Sequence, residues 1–162
     1  MIKRVKSHEI KKHVARNARF VVKSFPGATS EEINHYVEPA LDNEKPDMVI
    51  IHTGTNDMYN RRSSKSIPDI ANGIIKIGKK CRERGVKNIF ISGIVFRRSK
   101  ATSKKVFEIN NLVRALCGKE NFYFIHNNSI KDEHLWDDGL HLLDESRHVL
   151  VNNFAKALNN IL

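Results

Sequence analysis

Two short apolar runs constrain the fold of this chain more than any other feature. Met48 to Thr53 (M-V-I-I-H-T) and Asn88 to Val95 (N-I-F-I-S-G-I-V) are nearly continuous in apolar and β-branched residues. Neither alternates polar with apolar along its length. That pattern predicts strands buried on both faces, as in a parallel sheet. A parallel pair requires a crossover, and the intervening residues supply one. Pro68 opens a helical stripe of Ile70, Ile74, Ile77 and Cys81, ended by Gly85.

The same alternation extends along the rest of the chain. Ile2, Val5, Ile10 and Val14 predict a helix over residues 3–15. Arg19 to Phe25 (R-F-V-V-K-S-F) reads as a strand closed by Pro26-Gly27. Thr29 and Glu32 have capping-box spacing, which predicts a helix from Ser30 to Leu41. Val106, Ile109, Val113 and Leu116 mark a helix over 103–116, with Gly118 just past its end. Phe122 to His126 reads as a strand, and Asp144 to Leu162 as a closing helix. Strands alternating with helices predict βαβ units and a parallel sheet with helices on both faces. The 162 residues suit one domain with its own core, and neither a repeat nor a linker is found.

Composition narrows the classes. Hydrophobic residues make up 40% of the chain, which argues against disorder. No apolar run approaches the roughly 20 residues that span a bilayer. The basic N-terminus lacks an apolar stretch of signal-peptide type. Cys81 and Cys117 have no paired spacing and read as reduced thiols. Together these features predict an intracellular protein. No cofactor or metal motif is found, and none is expected.

Charge is the one unusual bulk property. Lys and Arg number 28 against 18 Asp and Glu, a net of +10. The excess gathers at Lys3, Arg4, Lys6, Lys11, Lys12, Arg16 and Arg19, at Lys79 to Arg84, and around Arg97 to Lys105. RNA or another polyanion is a candidate partner for the basic N-terminal helix. A solvated face with cations at helix C-termini is the plainer account, and it suits Lys79 to Arg84 best.

In parallel α/β sheets functional groups gather at the carboxyl ends of the strands. That rule selects Gly27, Gly54 to Asp57, the 93–98 loop and the loop from Asn127 to His141. Asp138 and His141 stand three apart across a glycine. A carboxylate there can fix an imidazole's tautomer and support it as a general base. Alone, the pair reads equally as a turn residue and a surface histidine. Asn56 can donate to an oxyanion, or simply end a strand. Gly27 can offer a bare N–H, or only complete a Pro-Gly turn.

Taken together these residues resemble a known family. Gly54-Thr55-Asn56-Asp57 matches the G-x-N-D block of the SGNH, or GDSL-type, hydrolases, and Asp138-Gly139-Leu140-His141 matches their D-x-x-H block. Gly27, in S-F-P-G-A-T, resembles the family's isolated block glycine. The phrases H-x-G-T-N-D and D-G-L-H-L are similar to domains associated with non-LTR retrotransposons of animals. The resemblance implies a flavodoxin-like three-layer α/β/α sandwich with a parallel sheet, and an esterase: His141 as base, Asp138 orienting it, Asn56 and Gly27 as oxyanion donors, and a small ester as substrate. Asp57 is assigned a capping role. The family's first block, Gly-Asp-Ser, carries the nucleophile at the end of a central first strand, and no Gly-Asp-Ser occurs here. Residues M-I-K-R-V-K resemble the stretch just after that block in related domains, so the expectation is an N-terminally truncated domain over 1–162. A non-catalytic, RNA-binding relative is the alternative. Ser7, read as helical, and Ser24, read as in a strand, are not expected to substitute for the nucleophile. Without a central strand, 19–25 and 48–53 should pair directly or leave the chain unstable.

Overall fold

A computed structural model describes residues 5–14, 18–58, 65–95 and 97–161. Its centre is a parallel sheet of three strands in the order β1 (Met48–His52), β2 (Asn88–Ser92), β3 (Tyr123–Ile125). Met48 pairs with Asn88 and His52 with Ser92 in one ladder; Ser92 pairs with Ile125 in the next. The carboxyl ends of the strands therefore lie level, and the loops that leave them meet at one edge.

Helices cover both faces. The helices are α1 (Ser7–Lys11), α2 (Ser30–Glu44), α3 (Thr55–Met58), α4 (Ile67–Glu83), α5 (Lys100–Glu120) and α6 (Arg147–Asn159). Ile51, Ile89 and Ile91 pack against α4 and α5, joined by Leu41 of α2. Phe90 and Ile125 pack on the opposite face against Leu150, Val151 and Phe154 of α6 and Ile10 of α1. Neighbouring residues of β2 thus serve different cores, which is why the run reads as continuously apolar. Each fully buried aliphatic side chain contributes about 1.5–3 kcal/mol. This is the α/β sandwich expected from the alternation of elements.

Caps set the helix starts. Thr29 and Glu32 form a reciprocal capping box on α2, and Ser66 with Asp69 does the same for α4, where Pro68 stands in the first turn. Four local expectations are corrected. First, α1 covers only Ser7–Lys11; residues 3, 4 and 15 of the expected helix lie outside the described residues, as does Arg16 of the basic cluster. Second, α2 continues past Leu41 to Glu44 and closes at Lys45, φ 44°. Third, α5 starts at Lys100 and runs through Gly118; the left-handed residue that closes it is Asn121, φ 54°. Fourth, residues 144–146 form turns, and α6 begins at Arg147, with Leu162 outside the described residues.

The largest correction concerns Arg19 to Phe25. The segment is irregular and joins no ladder. Its side chains hold it instead. Phe20 and Val22 rest on the α6-side core, Arg19 and Lys23 pair with Glu44 at 2.9 and 2.7 Å, and Val21 is 43% exposed. The direct pairing with β1 is not formed. Among the described residues, β1 has a strand neighbour on one side only. Strand propensity describes a residue's fit to a pleated surface; it does not supply the partner edge.

No helix among the described residues is long and apolar enough to cross a membrane. The cations at 79–84 are mostly engaged by neighbouring acids. Lys80 and Arg84 reach Glu38, Arg84 also reaches Asp42, and Lys79 and Arg82 reach Glu120.

Candidate active site

The strand ends open into a cleft of about 630 Å³. Gly27, Asn56, Asp138 and His141 all line it, although they lie up to 114 positions apart in sequence (141 minus 27). Each arrives by a different local device.

Gly54 turns the chain out of β1. It has φ 103°, and a Cβ there would lie 2.7 Å from Ile94 Cδ1 and 2.8 Å from Ile74 Cδ1. Only glycine meets both demands. The turn leads into α3, where Asn56 and Asp57 point to different tasks. Asn56 Nδ2 donates to the Ala28 carbonyl at 2.9 Å. One amide hydrogen therefore fixes the side chain beside the Gly27 loop, and among the described residues the second meets no acceptor. Asp57 is 1% exposed and accepts from Ser30 N–H (2.8 Å), Ser30 Oγ (2.7 Å) and Lys65 Nζ (3.1 Å). It therefore ties the turn after β1 to the first turn of α2.

Gly27 has φ 79°, with no atom within 4 Å of the position a Cβ would take. It lines the cleft in the turn closed by the Ala28 N–H to Phe25 carbonyl bond.

Asp138 and His141 form a hydrogen-bonded pair. Nδ1 of His141 lies 2.7 Å from Oδ2 of Asp138. Oδ1 accepts from the backbone N–H groups of Leu140 and His141 at 2.8 and 2.9 Å. These bonds, the His141 side chain first among them, hold the Asp138 carboxyl down to about 2. The carboxylate is thus ionised and can only accept, so Nδ1 carries the proton. In neutral His141 the lone pair is then on Nε2, the arrangement a general base needs. Both side chains are about half exposed at the cleft mouth.

The loop carrying the pair is fastened from the end of β2. Arg97, 1% exposed, donates from Nη1 to the Leu140 carbonyl at 2.7 Å. Arg98 donates to the Asp137 carbonyl and to Asp132, and its N–H donates to the Gly139 carbonyl. Gly139, φ 62°, lies so close to Arg98 that a Cβ would approach its side chain to 2.7 Å. In the sequence, Arg97 and Arg98 stand out only as charge.

Two further residues line the cleft that sequence reasoning sets aside. Ser24 lies in the irregular segment before Gly27, in place of the strand expected for it. His52, the last residue of β1, reads in the sequence only as part of an apolar run. A histidine at the carboxyl end of a buried strand was the available signal. Ser7 opens α1 and is not among the lining residues. Among the described residues no three His, Cys, Asp or Glu side chains converge on a point that could hold a metal. Cys81 and Cys117 are free and buried, and burial pushes their thiols up to about 11 and about 12.

An acid–imidazole pair and an amide side chain at the strand ends of a parallel α/β sandwich are the kinds of group an acyl-transfer site uses. Residues 7–147 match the GDSL-like lipase/acylhydrolase family, and the chain belongs to that family. Solved structures agree on the fold. A carbohydrate acetylesterase from Sinorhizobium meliloti superposes with TM-score 0.81 at 18% identity, over 100% of this chain and 87% of that one. An aryl esterase from M. smegmatis gives 0.81 at 17% identity, over 96% and 85%. A putative acylhydrolase from Bacteroides fragilis gives 0.74 at 17%, over 83% and 71%. No curated protein sequence matches the chain.

Proposed function

We propose that this domain is built to hydrolyse a small carboxylic ester, with His141 as general base and Asp138 holding its tautomer. The observation that carries the reading is the 2.7 Å Asp138–His141 bond in the same cleft as the anchored amide of Asn56. In the reaction a serine hydroxyl loses its proton to His141 Nε2 as its oxygen attacks the ester carbonyl. The developing oxyanion takes hydrogen bonds from the Asn56 amide and the Gly27 N–H. Such a donor is worth about 2.7–4 kcal/mol of barrier. The protonated imidazole then passes its proton to the departing alcohol, and water releases the acyl group by the same route.

The attacking serine belongs to a Gly-Asp-Ser block that the 162 residues do not contain. We take the chain as given to be inactive, since losing a triad serine costs on the order of a million-fold in turnover. The phrases S-F-P-G-A-T and D-G-L-H-L support kinship with the retrotransposon-associated members. The test is hydrolysis of p-nitrophenyl acetate by this chain and by one extended upstream through Gly-Asp-Ser. Activity is expected only in the extended chain and is expected to vanish with His141→Ala. Rapid hydrolysis by the short chain, lost on His141→Ala, would remove the claim of inactivity.

A second reading, RNA binding by a degenerate member, is motivated by the +10 charge. The acid-paired cations of 79–84 weaken it. Phosphate contacts would make such binding fall steeply with salt. An RNA affinity unchanged between low and moderate salt would dismiss it.

A further inference from the structure

His52 stands in the cleft wall, outside the roles given above. Its Nδ1 lies 2.9 Å from Ser92 Oγ, the residue it faces across the β1–β2 ladder. Ser92, 2% exposed, in turn accepts from Asn127 Nδ2 at 2.9 Å. The orientation of Asn127 is decided independently of either. The same Nδ2 donates to the Gly93 carbonyl, which can only accept, and Oδ1 accepts from Asn153 Nδ2 at 3.1 Å. Asn153 Oδ1 accepts from Ser129 Oγ at 3.0 Å. The chain of bonds therefore has one direction, from Ser129 at the surface to His52 at the cleft.

That direction sets the tautomer. Ser92 Oγ receives a hydrogen from Asn127, so its own hydrogen is free for His52 Nδ1. Were Nδ1 the donor instead, the buried Ser92 hydroxyl would have no acceptor among the described residues, a costly arrangement. Nδ1 is thus an acceptor, and the proton of the neutral ring sits on Nε2. Among the described residues no hydrogen-bond partner meets Nε2. The ring rests edge-on against Phe154 of α6, with centroids 6.1 Å apart, while the residue remains partly exposed on the cleft.

We propose that His52 is a fixed, neutral hydrogen-bond donor of the cleft, whose Nε2–H binds an oxygen of the ester substrate. The inference rests on the esterase reading of the cleft and adds a third donor to Asn56 and Gly27. Electrostatics agree with the geometry. Burial first, and then nearby positive charge that includes Arg97, pushes the His52 imidazole down to about 4. The ring thus stays neutral where an ordinary histidine near 6.5 would charge. The charged or titratable groups lining the same cleft include Lys23, Arg97, Asp137, Asp138, His141 and Arg147. A neutral donor polarises a carbonyl without handing over its proton, which suits binding and stabilisation and not base catalysis.

The test uses the full chain, labelled with nitrogen-15 at histidine, and acetanilide as a non-hydrolysable stand-in for phenyl acetate. Long-range imidazole correlations are expected to give the Nε2–H tautomer for His52, with no titration between about pH 5 and 8. Acetanilide is expected to shift the His52 Nε2 resonance. His52→Phe is expected to weaken its binding about tenfold, and His52→Gln, which keeps a donor, less than threefold. An Nδ1–H tautomer, or a titration near 6.5, overturns the inference without any ligand. Shifts at the Asn56 amide with none at His52 overturn it and leave the esterase reading standing. If acetanilide moves no resonance of the cleft, the esterase reading falls and takes this inference with it.

Discussion

The carboxylate of Asp57 straddles Ser30, with one oxygen 2.8 Å from its backbone N–H and the other 2.7 Å from its hydroxyl. These bonds join residues 27 positions apart and tie the turn after β1 to the start of α2. Asp57→Ala leaves both Ser30 donors and Lys65 without their shared acceptor. Breaking a buried charged pair costs about 3 kcal/mol. For a chain of this size that is a fall in Tm of roughly 6–12 °C. Asp57→Asn, which keeps one acceptor, is expected to lose less. Thermal unfolding of the two variants measures both, and an unchanged Tm in Asp57→Ala would refute the tie.

The two cleft glycines are expected to respond differently to alanine. Gly54→Ala meets strained φ and two isoleucine side chains within 2.8 Å. Overpacking of that kind costs about 1–3 kcal/mol beyond the backbone strain. Gly27→Ala meets the strain alone, since the space around it is open, and should cost about 1 kcal/mol. Urea unfolding gives the difference; a larger loss at Gly27 contradicts the geometry.

The Asp138 carboxyl is held down to about 2, below its ordinary value. A depressed acid contributes stability above its unfolded pKa and loses it as the pH falls through the folded one. The contribution should therefore be present at neutral pH and disappear between about pH 4 and 2. With the side chain 47% exposed, solvent screening keeps it at or below about 1 kcal/mol. Carbon-13 titration of the Asp138 carboxyl should find its midpoint at about 2. A midpoint near the ordinary value of about 4 would deny the His141 bond.

Ser24 shares the cleft with His141, so its chemistry is directly checkable. It lies in irregular backbone before a turn, and no bond joins it to His141 among the described residues. A fluorophosphonate probe is expected to leave this chain unlabelled. Labelling at Ser24 that disappears with His141→Ala would make Ser24 the nucleophile and end the claim of inactivity.

Amide hydrogen exchange should separate the ladder from the segment beside it. Ile91, in the strand paired on both sides, is expected to be strongly protected. Val21 and Val22, outside any ladder, are expected to exchange far faster. Equal protection would mean that residues 19–25 form a strand after all.

Much of this was legible in the sequence because it depended on local pattern. The apolar runs of β1 and β2, the capping box at Thr29 and the stripe of α4 each declare themselves within a few residues. Arg19 to Phe25 misled because its β-branched residues state a preference that only a neighbouring edge can fulfil. Gly118 misled because a glycine can sit inside a long helix when an asparagine nearby takes the left-handed turn. In the cleft, Asn56 stood out as an amide just past a buried strand and Asp138 with His141 as a close pair, and the family resemblance gave all three their roles. His52 did not, because its meaning depends on Ser92 and Asn127, 40 and 75 positions away (92 minus 52, 127 minus 52). No period in the chain connects them.

The grip of Arg97 and Arg98 on the 137–140 loop has a genetic consequence. On the proposed esterase reading, a random-mutagenesis screen for lost hydrolysis in an active version of this domain would recover these arginines alongside Asp138 and His141. Inspection of the alleles would not tell the two pairs apart. Suppressors would: a second-site change that re-stiffens the loop can restore an arginine allele, whereas none can replace the imidazole.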